Sequence, residues 1–193
     1  QHDHALHAFV FGPDGRLYFN HGNTTTGLAD AEDKILTDTH GRQLGGIGNP
    51  FRQGIAYRCN LDGSHPTVLG HNFRNPYELA VDSFGTVWQS DNDDDGNQGV
   101  RLNQILEHGN FGFQDELTGA AWTVPRVGAS SDRQRRHWHQ NDPGVVPNLL
   151  VTGAGSPTGI TVYEGQLLPE SIHNRLLHCD AGPGVCRAYT CLL

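Results

Sequence analysis

Methionine is absent from all 193 residues, and lysine occurs once, at Lys34, so 12 of the 13 cations are arginine. Lacking methionine and opening abruptly at Gln1-His2-Asp3-His4, the chain is expected to be a piece of a longer protein, with any export signal upstream. No stretch reaches the roughly 18 consecutive apolar residues of a membrane-crossing helix, so no helical span is expected. Basic charge is also scarce. A net charge of −8 argues against a nucleic-acid surface, because phosphate binding wants a basic face. The one basic run, Arg133-Gln134-Arg135-Arg136, is short and reads as a solvated loop. The four cysteines, Cys59, Cys179, Cys186 and Cys191, form neither a C-x-x-C pair nor a C-x-x-C-H haem attachment. Three of them lie within the last 15 residues, where a disulfide and free thiols are both open readings.

What the chain has in quantity is turn chemistry. There are 25 Gly and 10 Pro, and Gly, Asn and Asp cluster between short apolar runs, as many tight turns between short strands require. An internal repeat organises them. Phe9-Val10-Phe11-Gly12-Pro13-Asp14-Gly15-Arg16-Leu17-Tyr18-Phe19 reads as strand, turn, strand. It returns as Leu79-Ala80-Val81-Asp82-Ser83-Phe84-Gly85-Thr86-Val87-Trp88, and more loosely as Gly159 to Gly165 followed by Asn174 to His178. Further strand candidates are Gly54 to Asn60, Thr67 to Leu69, Arg101 to Leu106, Gly109 to Phe113 and Val185 to Tyr189.

Val10 to Val81 is 71 residues and Val81 to Val162 is 81, longer than a compact propeller blade of roughly 40–50 residues. The excess falls in two excursions, Thr24 to Arg52 and Gln114 to Leu149. Within the first, Asp30 to Leu36 is expected to form a helical turn or two. The fold class is therefore all-β, a partial β-propeller of about three blades from a six-bladed parent. The blades fall roughly at 1–70, 71–150 and 151–193 of a single domain. A β-sandwich shares the turn-punctuated strands, but the recurring hairpin favours the propeller.

Three segments carry chemistry. Arg74-Asn75-Pro76 precedes an inner strand, and a guanidinium beside a carboxamide can bind a planar, oxygen-rich, anionic ligand. Asp91-Asn92-Asp93-Asp94-Asp95-Gly96 sets oxygens at alternate positions before a glycine, which suits Ca2+; the twelfth position is Leu102, so it is no EF-hand. His137-Trp138-His139 supplies two imidazoles but no third ligand at a fixed spacing, and reads as loop histidines packed around Trp138.

Taken in order, Asp3-His4, Gly12 to Tyr18, His71 to Ala80 and Gly109 to Phe113 resemble the soluble glucose/sorbosone dehydrogenase family. They are more similar still to the membrane-bound dehydrogenase propellers of planctomycetes. The likeness covers most of residues 1–190, with gaps in the two excursions. It implies a quinoprotein that uses pyrroloquinoline quinone (PQQ). On that resemblance His4 is the base, and Arg74 and Asn75 bind the quinone. Asn23 stands where the family has a carboxylate orienting the base. Ca2+ lies near Asp91, Asp93 and Asp95, held in the family chiefly by backbone oxygens. The family's cationic residues from a later blade have no clear match in His178 to Gly182.

The implied reaction is oxidation of a sugar or polyol hydroxyl, with a cytochrome as a candidate electron acceptor and a periplasmic or secreted location. The alternative is a non-catalytic propeller that binds carbohydrate or protein at a decayed site, which Asn23 favours. A metal-dependent hydrolase would need more inward-facing acids than the sequence offers.

Overall fold

The turns come first, because they fix everything else locally. Between β1 (Leu6–Phe11) and β2 (Leu17–His21), Asp14 Oδ1 accepts the Arg16 N–H at 3.1 Å, and Gly15 takes a φ of +73°. Between β5 (Asn75–Val81) and β6 (Val87–Asn92), Asp82 Oδ1 accepts from Phe84 and Thr86, and Gly85 has φ +86°. The turn joining β3 (Gly54–Cys59) to β4 (Thr67–Phe73) repeats the device with Asp62, Ser64 and Gly63 at φ +82°. A short acidic side chain folds back on its own backbone, and the following glycine accepts the left-handed conformation without steric cost.

In this computed structural model, residues 4–45, 51–92, 99–153, 155–182 and 185–192 are described. They form three antiparallel-rich sheets. The first runs β1-β2-β3-β4 and gains β8 (Gly109–Asn110), which pairs in parallel with β4. The second runs β5-β6-β7-β9, with β7 at Arg101–Ile105 and β9 at Leu150–Val151. The third is β10 (Ser156–Tyr163), β11 (Arg175–Gly182) and β12 (Val185–Leu192). The first strands of the three sheets meet, with β5 between β1 and β10. This is the arrangement of successive propeller blades around an axis, and the chain is a partial β-propeller.

Blades are held together by apolar layers. Tyr18, Ala56, Leu69, Phe73, Leu79, Val87, Ile105 and Phe111 fill the space between the first and second sheets. Ala80, Trp88, Leu102, Ile160 and Leu176 fill the next. Polar ties cross the same gaps: Glu78 Oε2 accepts the Ile160 N–H at 3.1 Å, and Asn20 Nδ2 donates to Gln89 Oε1 at 3.0 Å inside the protein.

Two expectations change. Asp30 to Leu36 is not helical. The Asp30 carboxylate captures the N–H groups of Glu32 and Lys34, Asp33 has φ +60°, and Ala29 bridges Ile35 as a small antiparallel turn. The chain there is pulled extended so that Leu28, Leu36 and Leu44 can cover the outer apolar face of the first blade. Conversely the second excursion contains α1 (Arg133–His137), capped by Asp132, which accepts the Arg135 N–H at 2.9 Å. No helix among the described residues is long and apolar enough to cross a membrane. Cys59, Cys179 and Cys191 are free thiols.

Candidate active site

The end of β2 builds one wall. The Gly22 N–H donates to the Ala5 carbonyl at 3.1 Å, and the Asn23 N–H donates across the blade boundary to the Arg74 carbonyl at 2.7 Å. That pairing sets the residue after β2 against the residue before β5. Asn23 Oδ1 then faces His4 Nδ1 at 2.6 Å, while the hydroxyls of Thr24 and Thr25 donate to the His4 carbonyl. An amide oxygen can only accept, so this pair keeps the His4 proton on Nδ1 and the lone pair on Nε2. A general base needs that tautomer.

Gly22 is the floor shared by the two halves of the site. A Cβ there would fall 2.6 Å from Asn75 Oδ1, 2.8 Å from the His4 carbonyl oxygen and 2.9 Å from His4 Cα. Only a residue without a side chain lets the His4 segment and the Asn75 amide close on the same point. On the function proposed below, Gly22→Ala is expected to lower kcat/KM by about a hundredfold, because displacements near 1 Å at a reacting site cost on that order. Gly22 is buried and the clash is with backbone, so some loss of thermal stability should accompany it. An unchanged kcat/KM would show that the two halves need not meet.

Arg74 and Asn75 are buried at 7% and 6% exposure. Their backbone N–H groups donate to the two oxygens of Asp91, at 3.2 and 2.9 Å. Asp91 in turn accepts Arg101 Nη2 at 2.8 Å and Nε at 3.2 Å, with both side chains fully buried. The Arg101 guanidinium lies 3.7 Å over the Trp138 ring and donates to the Phe111 carbonyl. Burial lowers Arg101 to about 10, opposed by Asp91, so it stays cationic near neutral pH. The sequence marks Asp91 as a metal ligand, but both its oxygens are engaged by the backbone and by Arg101. Asp93 and Asp95 lie outside the described residues. Among the described residues no group of three or more acidic, His or Cys side chains is placed to hold a metal.

Asn75 Oδ1 is buried without a hydrogen-bond partner. As an acceptor, Asn75 Oδ1 calls for a ligand hydroxyl or N–H, while the neighbouring Arg74 guanidinium supplies donors for a planar polycarboxylate.

Arg101 carries no mark in the sequence as a site residue, and His137, expected to pack around Trp138 from a loop, does so from the end of α1. Stacked on Trp138 with ring centroids 4.1 Å apart, His137 is held to about 3 by burial first, then by the charges of Arg101 and Arg74. Through Trp138, over which Arg101 lies, the second excursion folds back against the Arg101–Asp91 pair that holds the Arg74 N–H. In the third blade, buried His178 bonds Asp180 through Nε2 and the Gly159 carbonyl through Nδ1 at 2.9 Å.

No protein-family model and no curated protein matches the sequence. Solved structures do match. An oxidoreductase described as a glucose dehydrogenase, from Thermus thermophilus, is 21% identical, with TM-score 0.50 over 95% of this chain and 52% of its own. A second glucose dehydrogenase is 19% identical, with TM-score 0.55 over 96% of this chain and 52% of its own. The aldose sugar dehydrogenase of Streptomyces coelicolor, in its PQQ-bound form, is 22% identical, with TM-score 0.48 over 94% and 47%. This chain has a soluble glucose dehydrogenase-like fold and spans about half the length of those structures.

Proposed function

We propose that this chain forms part of a PQQ-dependent oxidoreductase that oxidises a hydroxyl of a sugar or polyol. The observation that carries the reading is the meeting of the His4–Asn23 pair, 2.6 Å apart, with Asn75 across Gly22. PQQ, when bound, supplies the two-electron acceptor for the substrate carbon. Arg74 and Asn75 bind and orient its carboxylates, and Asp91 fixes their backbone. His4 takes the hydroxyl proton on Nε2, and Asn23 keeps the ring in line for that transfer by holding Nδ1. A Ca2+ ion beside the quinone would be held by the acidic loop and not through Asp91. Electrons would pass on to a cytochrome, in a periplasmic or secreted setting.

The test is addition of PQQ and Ca2+ to the full-length protein, with binding followed by absorbance and dye reduction measured across sugars and polyols. His4→Ala is expected to cut turnover by about a hundredfold or more while quinone binding persists. No quinone binding at micromolar concentration would overturn the reading. The second reading, a non-catalytic carbohydrate- or protein-binding propeller, is favoured by Asn23 itself, since an amide cannot stabilise an imidazolium as a carboxylate does. Asn23→Asp separates the two: turnover should rise if the site is catalytic and stay absent if it has decayed.

A further inference from the structure

The second excursion carries a pocket that the proposed chemistry does not use. Trp122, Val124, Pro125 and Ala129 form its apolar side, and Arg126 and Arg136 its polar side, around a cavity of about 390 Å³. That volume lies within the roughly 300–1,000 Å³ of small-molecule pockets. Arg133 and Arg136 lie 5.7 and 5.5 Å from the centre of the Trp122 ring. Arg136 Nε, and Arg126 Nε and Nη2, are buried without hydrogen-bond partners. Of the acids nearby, Asp142 pairs through Oδ1 with Arg126 Nη1 while its Oδ2 has no partner, and Asp132 caps α1. With Arg126 offset by Asp142, Arg133 and Arg136 at the Trp122 ring leave a local excess of positive charge in a chain of net charge −8.

We propose that this pocket binds the carboxylate of an acidic saccharide, a uronate, with Trp122 as its apolar wall and Arg136 as its charge partner. A pyranose offers a C–H face to an indole, and a guanidinium can donate two parallel hydrogen bonds to one carboxylate. The pocket also connects to the candidate active site, because the His137 ring lies 5.7 Å from Trp122 and stacks on Trp138, over which Arg101 lies. The saccharide class rests on the function proposed above; the need for a negative charge rests on the pocket alone.

The experiment is calorimetric titration of the full-length protein, without quinone, using galacturonate, galactose and inorganic phosphate. Galacturonate is expected to bind about tenfold more tightly than galactose, as one charge-assisted pair would give. Arg136→Gln should erase that preference, and Trp122→Ala should weaken galacturonate binding without a change in thermal midpoint. Arg136→Lys, which keeps the charge but loses the fork, should retain part of the preference and serves if Arg136→Gln does not fold. Equal binding of galacturonate and galactose, a preference that survives Arg136→Gln, or phosphate binding as tightly as galacturonate would each overturn the proposal. Dye reduction with neutral sugars in a protein that ignores galacturonate would sink this proposal alone. Galacturonate binding in a protein that ignores PQQ would sink only the oxidoreductase reading.

Discussion

Acidification from about pH 6.5 toward pH 4 is expected to unfold this protein, at a cost of about 4 kcal/mol per pH unit. Three buried histidines set the slope. His21 sits between the Tyr57 hydroxyl at 2.8 Å and the Gly22 carbonyl at 2.9 Å, and burial lowers it to about 4. Burial, then Arg52 and His108, lower His71 to about 4. Burial, then Arg101 and Arg74, lower His137 to about 3. All three are neutral in the folded protein, whereas in the unfolded chain each takes its proton near the ordinary value of 6.5. Between those limits the unfolded state binds more protons, so acid favours it. The stability is fully present above pH 6.5 and is lost as the pH falls toward 4. Each imidazole contributes about 1.4 kcal/mol per unit, and the three together can exhaust the roughly 5–15 kcal/mol of an ordinary domain within about two units. Urea unfolding at a series of pH values measures the slope. His71→Asn should remove about a third of it, and a stability that stays flat between about pH 7 and pH 5 would refute the account.

The hairpins were legible because their cause is local. Asp14-Gly15 and Asp82 with Gly85 encode turns through one carboxylate and one positive φ, and no distant residue is needed to read them. The first excursion misled because Asp30 to Leu36 has helix-forming composition, while its structure answers to a longer pattern. Leu28, Leu36 and Leu44 recur every eight residues and close a ring of backbone hydrogen bonds, Leu36 to Leu28, Leu44 to Leu36 and Leu28 to Leu44, at 2.8–2.9 Å. Asp30 with Lys34, and Asp38 with Arg42, repeat at the same spacing: each carboxylate accepts the N–H four residues on. That repeat was readable and would have replaced the helix with two successive turns.

The site divides the same way. Whereas His4 and Asn23 come only from the resemblance, the Arg74-Asn75-Pro76 segment before an inner strand could be picked out from the residues. Arg101 and His137 could not. Their roles depend on a strand edge and a 36-residue excursion, Gln114 to Leu149, meeting behind Arg74, and such long-range contacts leave no mark on periodicity.

Asp91→Ala is expected to cost more than about 5 kcal/mol. Removing one partner of a buried ion pair leaves an uncompensated charge, at about 3–5 kcal/mol. Arg101 cannot escape by losing its proton near neutral pH, because burial lowers it only to about 10. The same carboxylate accepts the N–H groups of Arg74 and Asn75, and each orphaned backbone donor adds about 1–3 kcal/mol. The double variant Asp91→Ala/Arg101→Met should recover much of the ion-pair loss, since an apolar replacement of both partners removes the stranded charge. On the proposed function it should not recover PQQ affinity, because the N–H groups of Arg74 and Asn75 would still lack the carboxylate that orients them. Urea unfolding of the two variants, followed by PQQ titration of whichever folds, separates the terms. A loss below about 1 kcal/mol for Asp91→Ala would mean that Arg101 finds another acceptor, and that the Asp91 carboxylate is not what holds Arg74 and Asn75 in place.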